Sequence, residues 1–444
     1  GSFILRIEDT DQKRYVEGAT EIIYNTLKTV GMNWDEGPDI GGEYGPYIQS
    51  ERLPLYQEYA HKLVELGGAH YCFCAKTEHD DDEEETVLGA KFKDPCKHIP
   101  LEEAKARVAA GEPYVVRQNI NRKGKATFHD VVYGDIEIDY DELDEGVLLK
   151  SDGFPTYNFA NVIDDHTMGI THVMRGSEYL SSTPKYNLLY EAFGWEKPVY
   201  IHLTNIMRDA THKLSKRTGD AYYEDYIAKG YLMEAIRNYV ALLGWNPGDE
   251  REFFTMDELI EAFSLEGLSK SPAIFDVNKL TWMNAEYIRR LSGEAFTQHA
   301  LPYYAQAGIA GMDHAVLARI LQPRTETFAQ IPEMVDFLAK LDEDYSVELF
   351  TNKKSKTNPD VARDVLCAVL PALSALPDWT EEAIHGLLIG MAAERGLKNG
   401  TLLWPVRIAL AGKQVTPGGA IEIAVLLGRE EALRRLALGL TKLG

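Results

Sequence analysis

Strands and helices alternate through the first part of this 444-residue chain, and then the alternation stops. That switch limits the fold more than any other feature. Mixed elements build a layered α/β domain, whereas an all-helical stretch must bury its apolar stripes helix on helix. Phe3-Ile4-Leu5-Arg6-Ile7 reads as a buried strand. Residues 16–30 place Ile22, Ile23, Leu27 and Val30 at helical spacing, and Gly31 ends that helix. A Gly- and Pro-rich loop over 35–50 leads to a second amphipathic helix over 51–66. Residues 71–150 change character: short β-like pieces broken by polar turns predict an inserted α+β domain. Alternation returns over 156–204, and beyond about 220 the pattern is almost entirely helical, punctuated by Pro323, Pro359, Pro371 and Pro377. The expected layout is therefore a layered α/β domain in two parts, 1–65 and 151–210, with an insertion at 66–150. A basic loop and helical region follow at 211–290, and a helical domain at 291–444.

No apolar run approaches the roughly 18–20 residues that span a bilayer, and no basic, apolar leader opens the chain. A cytoplasmic protein with no membrane partner is expected. Four cysteines are too few for a disulfide scaffold. With 46 Lys+Arg against 69 Asp+Glu the net charge is −23, which taken alone argues against a nucleic-acid partner. The charge is uneven, however. Acidic runs cluster at Glu78 to Glu85 and Asp135 to Glu145, whereas residues 291–444 carry 18 acidic and 15 basic side chains.

Five clusters could carry chemistry. His212-Lys213-Leu214-Ser215-Lys216-Arg217-Thr218-Gly219 packs three cations into five positions, which suits a triphosphate whose charge moves onto departing pyrophosphate; a solvated basic turn is the alternative. Tyr157, Asn161 and Asp165 fall at i, i+4 and i+8 of one predicted helix, so that phenol, amide and carboxylate share a face fit for a small zwitterion. A polar exposed face would look the same. Arg175 follows an apolar strand, where ligands of α/β sheets bind, and could clamp a carboxylate with two parallel hydrogen bonds. The competing role is a structural pair, with Glu178 as partner. Glu8, Asp9 and Asp11 follow another strand and could meet an ammonium or a ribose, or Thr10 or Asp11 could cap a helix. Finally, Cys72-Phe73-Cys74, 21 residues and then Cys96-Lys97-His98 offer three sulfurs and an imidazole, a set that closes a tetrahedral zinc shell. Chance clustering of thiols is the alternative. Cys367, in an apolar run, reads as a core thiol.

Several longer motifs together resemble the bacterial glutamyl-tRNA synthetases, a family of class I aminoacyl-tRNA synthetases. They are Phe-Ile-Leu-Arg-Ile-Glu-Asp-Thr-Asp (3–11), Gly-Pro-Tyr-Ile-Gln-Ser-Glu-Arg (45–52), Pro-Thr-Tyr-Asn-Phe-Ala-Asn-Val-Ile-Asp-Asp-His (155–166), Arg-Gly-Ser-Glu-Tyr-Leu-Ser-Ser-Thr-Pro-Lys (175–185), Lys-Leu-Ser-Lys-Arg (213–217) and Leu-Leu-Gly-Trp (242–245). Leu-Leu-Trp-Pro-Val-Arg-Ile-Ala-Leu (402–410) and Thr-Pro-Gly-Gly (416–419) resemble the family's anticodon-binding domain. The resemblance implies a Rossmann-like catalytic domain with an inserted acceptor-binding domain, then an all-α stem-contact and anticodon-binding region. It implies that Lys213, Lys216 and Arg217 stabilise adenylation, with Lys216 and Glu178 at ATP. Glu8, Tyr157, Asn161 and Arg175 match glutamate-binding positions, and Asp11 lies where the tRNA 3′ end approaches. Cys72, Cys74, Cys96 and His98 match a structural zinc site. ATP, Mg²⁺, L-glutamate and tRNA-Glu are the implied cofactors and substrates, with tRNA-Gln as a second candidate, and the family is usually monomeric.

The family's first ATP signature does not occur in this sequence, so a fragment with impaired activity is one expectation and a non-catalytic tRNA-binding paralogue is the alternative. The intact basic loop and Arg175 favour the enzyme. A shorter paralogue that modifies a tRNA base lacks an anticodon domain, and glutaminyl-tRNA synthetase carries a β-barrel where this chain reads as helical. The net charge then ceases to count against RNA, because binding needs a local basic track. Lys353-Lys354-Ser355-Lys356, in the near-neutral block, is the expected docking region for the anticodon.

Overall fold

A computed structural model of the chain describes residues 1–10, 18–74, 94–214 and 222–444. It divides into two compact units, Gly1–Lys213 with Val240–Phe275, and Leu214–Tyr239 with Asp276–Gly444.

The first unit is mixed α/β. Its early helices are α1 (Ala19–Thr29) and α2 (Leu53–Glu65), followed by β1 (Ala69–Cys72), α3 (Leu101–Ala109) and β2 (Val115–Gln118). A hairpin of β3 (Lys125–Asp130) and β4 (Gly134–Asp139) precedes β5 (Val147–Leu149), α4 (Tyr157–Thr167) and β6 (His172–Gly176). The unit continues through α5 (Thr183–Phe193), β7 (Val199–Leu203) and β8 (Ile206–Met207), and β9 (Ala273–Ile274) returns to pair with β8.

Three sheets result, in the orders β1-β2-β5, β4-β3-β7-β6 and β8-β9. The second sheet positions the site. β6 and β7 run parallel through five register pairs, joined by α5 as a βαβ crossover. β3 joins β7 in parallel at Asp130↔Tyr200 and carries β4 antiparallel on its other side. Residues 125–139 therefore extend the same sheet as 172–203, so the 66–150 stretch contributes strands to two sheets instead of standing apart as one block. The core under these sheets gathers Tyr56, Leu63, Val116, Phe159, Ile163, Tyr186 and Leu189. The period of α4 explains its share: Phe159, Val162 and Ile163 point inward while Tyr157 and Asp165 keep to the rim.

Two expectations are corrected. Phe3–Ile7 is extended, but it makes only single bridges, Ile4↔Glu36 and Ile7↔Ile48, and Phe3 is exposed. Its hydrogen bonds run to the 34–49 loop, Leu5 N to Glu36 O at 2.8 Å and Ile7 N to Tyr47 O at 2.8 Å, and an irregular partner builds no continuous ladder. Cys367 is exposed, because Val365, Leu366 and Val369 take the buried face of its helix, Pro359–Ser374.

Among its described residues the second unit is built of helices joined by turns, including Val277–Arg290, Gly293–Gln306, His314–Leu321, Pro359–Ser374, Glu381–Glu394, Asn399–Ala411 and Ala420–Leu443. Side-chain caps define several starts: Asp276, Ser292, Asp313, Asn358 and Thr380 each accept from backbone N–H groups of the first turn. One continuous apolar core runs through it, from Phe296 and Leu317 to Leu402, Val406 and Leu436. No helix among the described residues is long and apolar enough to cross a membrane.

Candidate active site

Arg175 is the next-to-last residue of β6, and its register partner on β7 is His202. Its Nε donates to His202 Nε2 at 3.1 Å and its Nη2 to Thr183 Oγ1 at 2.9 Å. The guanidinium carbon lies 4.5 Å from the ring centre of Tyr186, 5.1 Å from Tyr179 and 5.6 Å from Tyr200. Among the described residues no carboxylate pairs with it, Glu178 included. A half-buried cation fixed by neutral groups at the carboxyl end of parallel strands stands where ligands of α/β sheets bind.

A chain of side chains leads from it to the other predicted residues. The Tyr179 ring lies 5.9 Å from that of Tyr157, at the start of α4. The Tyr157 hydroxyl meets the Asn161 amide and Tyr179; burial, and then the Glu8 carboxylate, push its phenol well above the ordinary value. Asn161 is 6% exposed, and its Oδ1 has no hydrogen-bond partner among the described residues. Glu8, Tyr157, Asn161 and Arg175 are thus brought to one neighbourhood. Asp165 is not free to join them: Arg6 pairs with it at 3.1 Å and with Glu8 at 2.9 Å. Beneath lies a closed network in which Asp164, fully buried, accepts from Arg52 Nε at 2.8 Å, Gln49 Nε2 at 2.9 Å and the Tyr56 hydroxyl at 2.8 Å. It ties α4 to α2 and to the loop before it.

Of the predicted nucleotide residues, Lys213 is exposed and bridges back to Met207. The turn before it is built by Asp209, whose Oδ1 accepts from Thr211 N and His212 N, both at 2.9 Å. Those backbone bonds, then the His212 ring, hold the Asp209 carboxyl well below the usual range. Lys216 and Arg217 lie outside the described residues, as does Asp11.

Cys72, at the end of β1, stands beside Cys74, Asp94 and Cys96, with ligand atoms all within 4.8 Å of one another. Cys74 Sγ lies 3.7 Å from Cys96 Sγ, close to the roughly 3.8 Å that a tetrahedron of Zn–S bonds of about 2.3 Å requires. Phe73 N donates to Cys96 Sγ at 3.4 Å. The predicted fourth member, His98, is exposed and outside the group, and Asp94 stands in its place. Local geometry accounts for this. Pro95–His98 is a turn of 3₁₀ helix, so positions two apart face different ways. Asp94 caps that turn through Cys96 N at 2.8 Å, which sets its Oδ1 among the sulfurs while Oδ2 accepts from His70 Nε2 at 2.9 Å. The Asp-Pro pair before Cys96, a helix-start signal, could have revealed it.

Comparison with known proteins decides the family. The model for class I tRNA synthetases (E and Q), catalytic domain, matches residues 1–282, and that for an anticodon binding domain matches 284–440. A glutamate–tRNA ligase of Clostridium botulinum is 54% identical over this whole chain, which covers 92% of it. The chain belongs to the glutamate–tRNA ligases. The ligase of Clostridium kluyveri is 53% identical, with 91% of it covered. Among solved structures, a glutamate tRNA ligase from Elizabethkingia meningosepticum in complex with its amino acid superposes with a TM-score of 0.87 at 32% identity, over 100% of this chain and 93% of that one. The motif resemblance is borne out, and so is an enzyme in preference to a non-catalytic paralogue. The two-part architecture is that of a class I synthetase catalytic domain followed by a helical anticodon-binding region.

Proposed function

We propose that the strand-end cluster is the glutamate site of this ligase, with Arg175 holding the side-chain carboxylate and Glu8, Tyr157 and the open Asn161 Oδ1 receiving the ammonium. The observation that carries this is Arg175 itself, a cation oriented by His202 and Thr183 and, among the described residues, paired with no carboxylate. In the first step a glutamate α-carboxylate oxygen forms a bond to the α-phosphorus of ATP, and the bond to pyrophosphate breaks. In the second, a ribose hydroxyl of the tRNA 3′ end attacks the acyl carbon and AMP leaves. The protein's part is orientation and charge stabilisation. Lys213, with Lys216 and Arg217, neutralises the phosphates, Glu178 borders the nucleotide, Asp11 meets the 3′ end, and Mg²⁺ accompanies ATP. Cys72, Cys74, Cys96 and Asp94 would hold a zinc ion whose role is structural, since four protein donors close the shell. The exposed Lys353, Lys354 and Lys356 would meet the anticodon arm of tRNA-Glu, with tRNA-Gln as the competing substrate. The enzyme would work as a monomer in the cytoplasm.

Calorimetric titration tests the site directly. L-glutamate should saturate it and L-glutamine should bind far more weakly, because only the former carries the second carboxylate. Equal binding of the two would overturn the assignment to Arg175.

A further inference from the structure

Three strands place one side chain each at the same end of the second sheet: Arg175 on β6, His202 on β7 and Asp130 at the end of β3. His202 and Asp130 are both 0% exposed. The chemistry of the three fixes every proton between them. A guanidinium has donors and no acceptor, so His202 Nε2, 3.1 Å from Arg175 Nε, must present a lone pair. The ring proton therefore sits on Nδ1, which donates to Asp130 Oδ2 at 2.6 Å. Asp130 is itself fully engaged: Oδ2 also takes His202 N at 3.1 Å, and Oδ1 takes Val132 N at 3.0 Å and Tyr133 N at 2.8 Å.

We infer that His202, oriented by Asp130, is a positioning residue that sets Arg175 in an end-on pose for the substrate carboxylate. This deepens the proposed glutamate site and rests on that reading. Nε and one N–H of Nη2 are occupied by His202 and Thr183, and Thr183 is locked because its hydroxyl donates to Tyr179 O at 2.9 Å. The edge that remains is the one formed by Nη1 and Nη2, which offers two parallel donors to a carboxylate. The imidazole between the two charges is the point of the arrangement. A carboxylate placed directly on Arg175 would hold it equally well but would compete with the substrate for its charge. A neutral ring transmits the geometry and leaves the cation's charge available. Burial, which outweighs the pull of Asp130, lowers the His202 pKa and keeps that ring neutral. The charged groups around it are Asp130, Arg175 and Glu178.

The test uses the full chain and L-glutamate, with ATP binding as control. His202→Leu removes the acceptor and should weaken glutamate about tenfold, the cost of a clamp free to swing, while ATP affinity stays put. His202→Gln, whose side-chain oxygen can accept from Arg175 Nε, should recover affinity to within about threefold of the parent. A mere loss of packing would move both ligands and would not be rescued. Unchanged glutamate affinity in His202→Leu, alongside a large loss in Arg175→Ala, overturns the relay and leaves the site intact. Unchanged affinity in Arg175→Ala overturns the underlying site. Should His202→Leu fail to fold, ¹⁵N-histidine spectra of the unmutated chain decide. The signal that vanishes in His202→Gln must show a protonated Nδ1 and a bare Nε2; a proton on Nε2 refutes the proposal.

Discussion

Arg435 and Arg175 are both drawn away from water, one in the helical unit and one at the end of a sheet, and they are treated in opposite ways. Arg435 is 1% exposed and every edge is used: Nη1 donates to Phe337 O at 2.6 Å and Leu410 O at 2.9 Å, Nη2 to Leu338 O at 3.3 Å, and Nε to Glu431 at 2.7 Å. Three of those acceptors are carbonyls near helix C-termini, where a cation also meets the dipole. Arg175 is less buried, stands over three aromatic rings and has no carboxylate partner among the described residues. A fully satisfied buried charge ties elements together and has nothing left to offer a ligand. A charge held in place with an edge open is what the proposed glutamate site would use.

The largest expected effect comes from breaking the satisfied member. Arg435→Ala strands three buried carbonyls and should cost the helical unit about 3–5 kcal/mol. Hydrogen exchange in Ala420–Leu443 would report it, with glutamate binding by the chain unchanged. A loss below about 1 kcal/mol would mean that water replaces the guanidinium. Arg175→Ala should do the reverse. Stability should move by less than about 1 kcal/mol, while glutamate affinity falls about 10- to 100-fold, the worth of charge-assisted hydrogen bonds. If the two variants behaved alike, the contrast drawn from their partners would collapse.

The cysteine cluster, like Arg175, gathers groups suited to a ligand. Burial and then Asp94 push the Cys72 thiol above its ordinary value, a cost that a bound cation reverses. Asp94→Ala should lower zinc affinity by at least about tenfold, and His98→Ala should leave it intact, measured by metal content after dialysis against a chelator. Loss of zinc in His98→Ala would restore the imidazole as fourth ligand. A smaller effect is expected at the lysine turn. Replacing Lys353, Lys354 or Lys356 by Ala should weaken tRNA binding modestly and reduce the slope of log affinity against log salt by about 1 each. A slope unchanged in all three would move the RNA track elsewhere.

What could be read from the residues follows a physical divide. The α/β to helical switch was legible because side-chain period records which face is buried, and Val277–Arg290 or Pro359–Ser374 announce themselves that way. The strand-end position of Arg175 was legible because an apolar strand that ends in a cation is a short-range pattern. That Tyr157 and Asn161 share a helix was legible from their i, i+4 spacing. That His98 lies outside the cysteine cluster was not legible, because C-x-H spacing says nothing about a 3₁₀ turn, which rotates the two residues apart. Cys367 was misplaced because a run of apolar letters does not mark which helix face turns outward. The joining of β3 to β7 at Asp130↔Tyr200 pairs residues seventy apart in sequence, and no local pattern records it. For the same reason Asp130 and His202 were not singled out.

The smallest effect returns to Arg435 and its single carboxylate. Glu431 accepts from Arg434 Nε at 2.7 Å and from Arg435 Nε at 2.7 Å, and these two arginines, the first foremost, hold it down at about 2 against an ordinary 4.5. A carboxyl whose folded pKa is depressed lends stability that is complete above its unfolded value. That stability drains away as pH falls from about 4.5 towards 2, because the unfolded chain takes up the proton first. About a third of the Glu431 side chain is open to solvent, so screening limits the contribution to about 1 kcal/mol or less. Exchange rates in Ala420–Leu443 should therefore show no Glu431-dependent change between pH 7 and 5. Below pH 4.5, the difference between the parent chain and Glu431→Gln should shrink towards zero. No difference between the two at pH 7 would mean that Arg435 is held by the three carbonyls alone, and the satisfied half of the comparison would then rest on backbone oxygens without any ion pair.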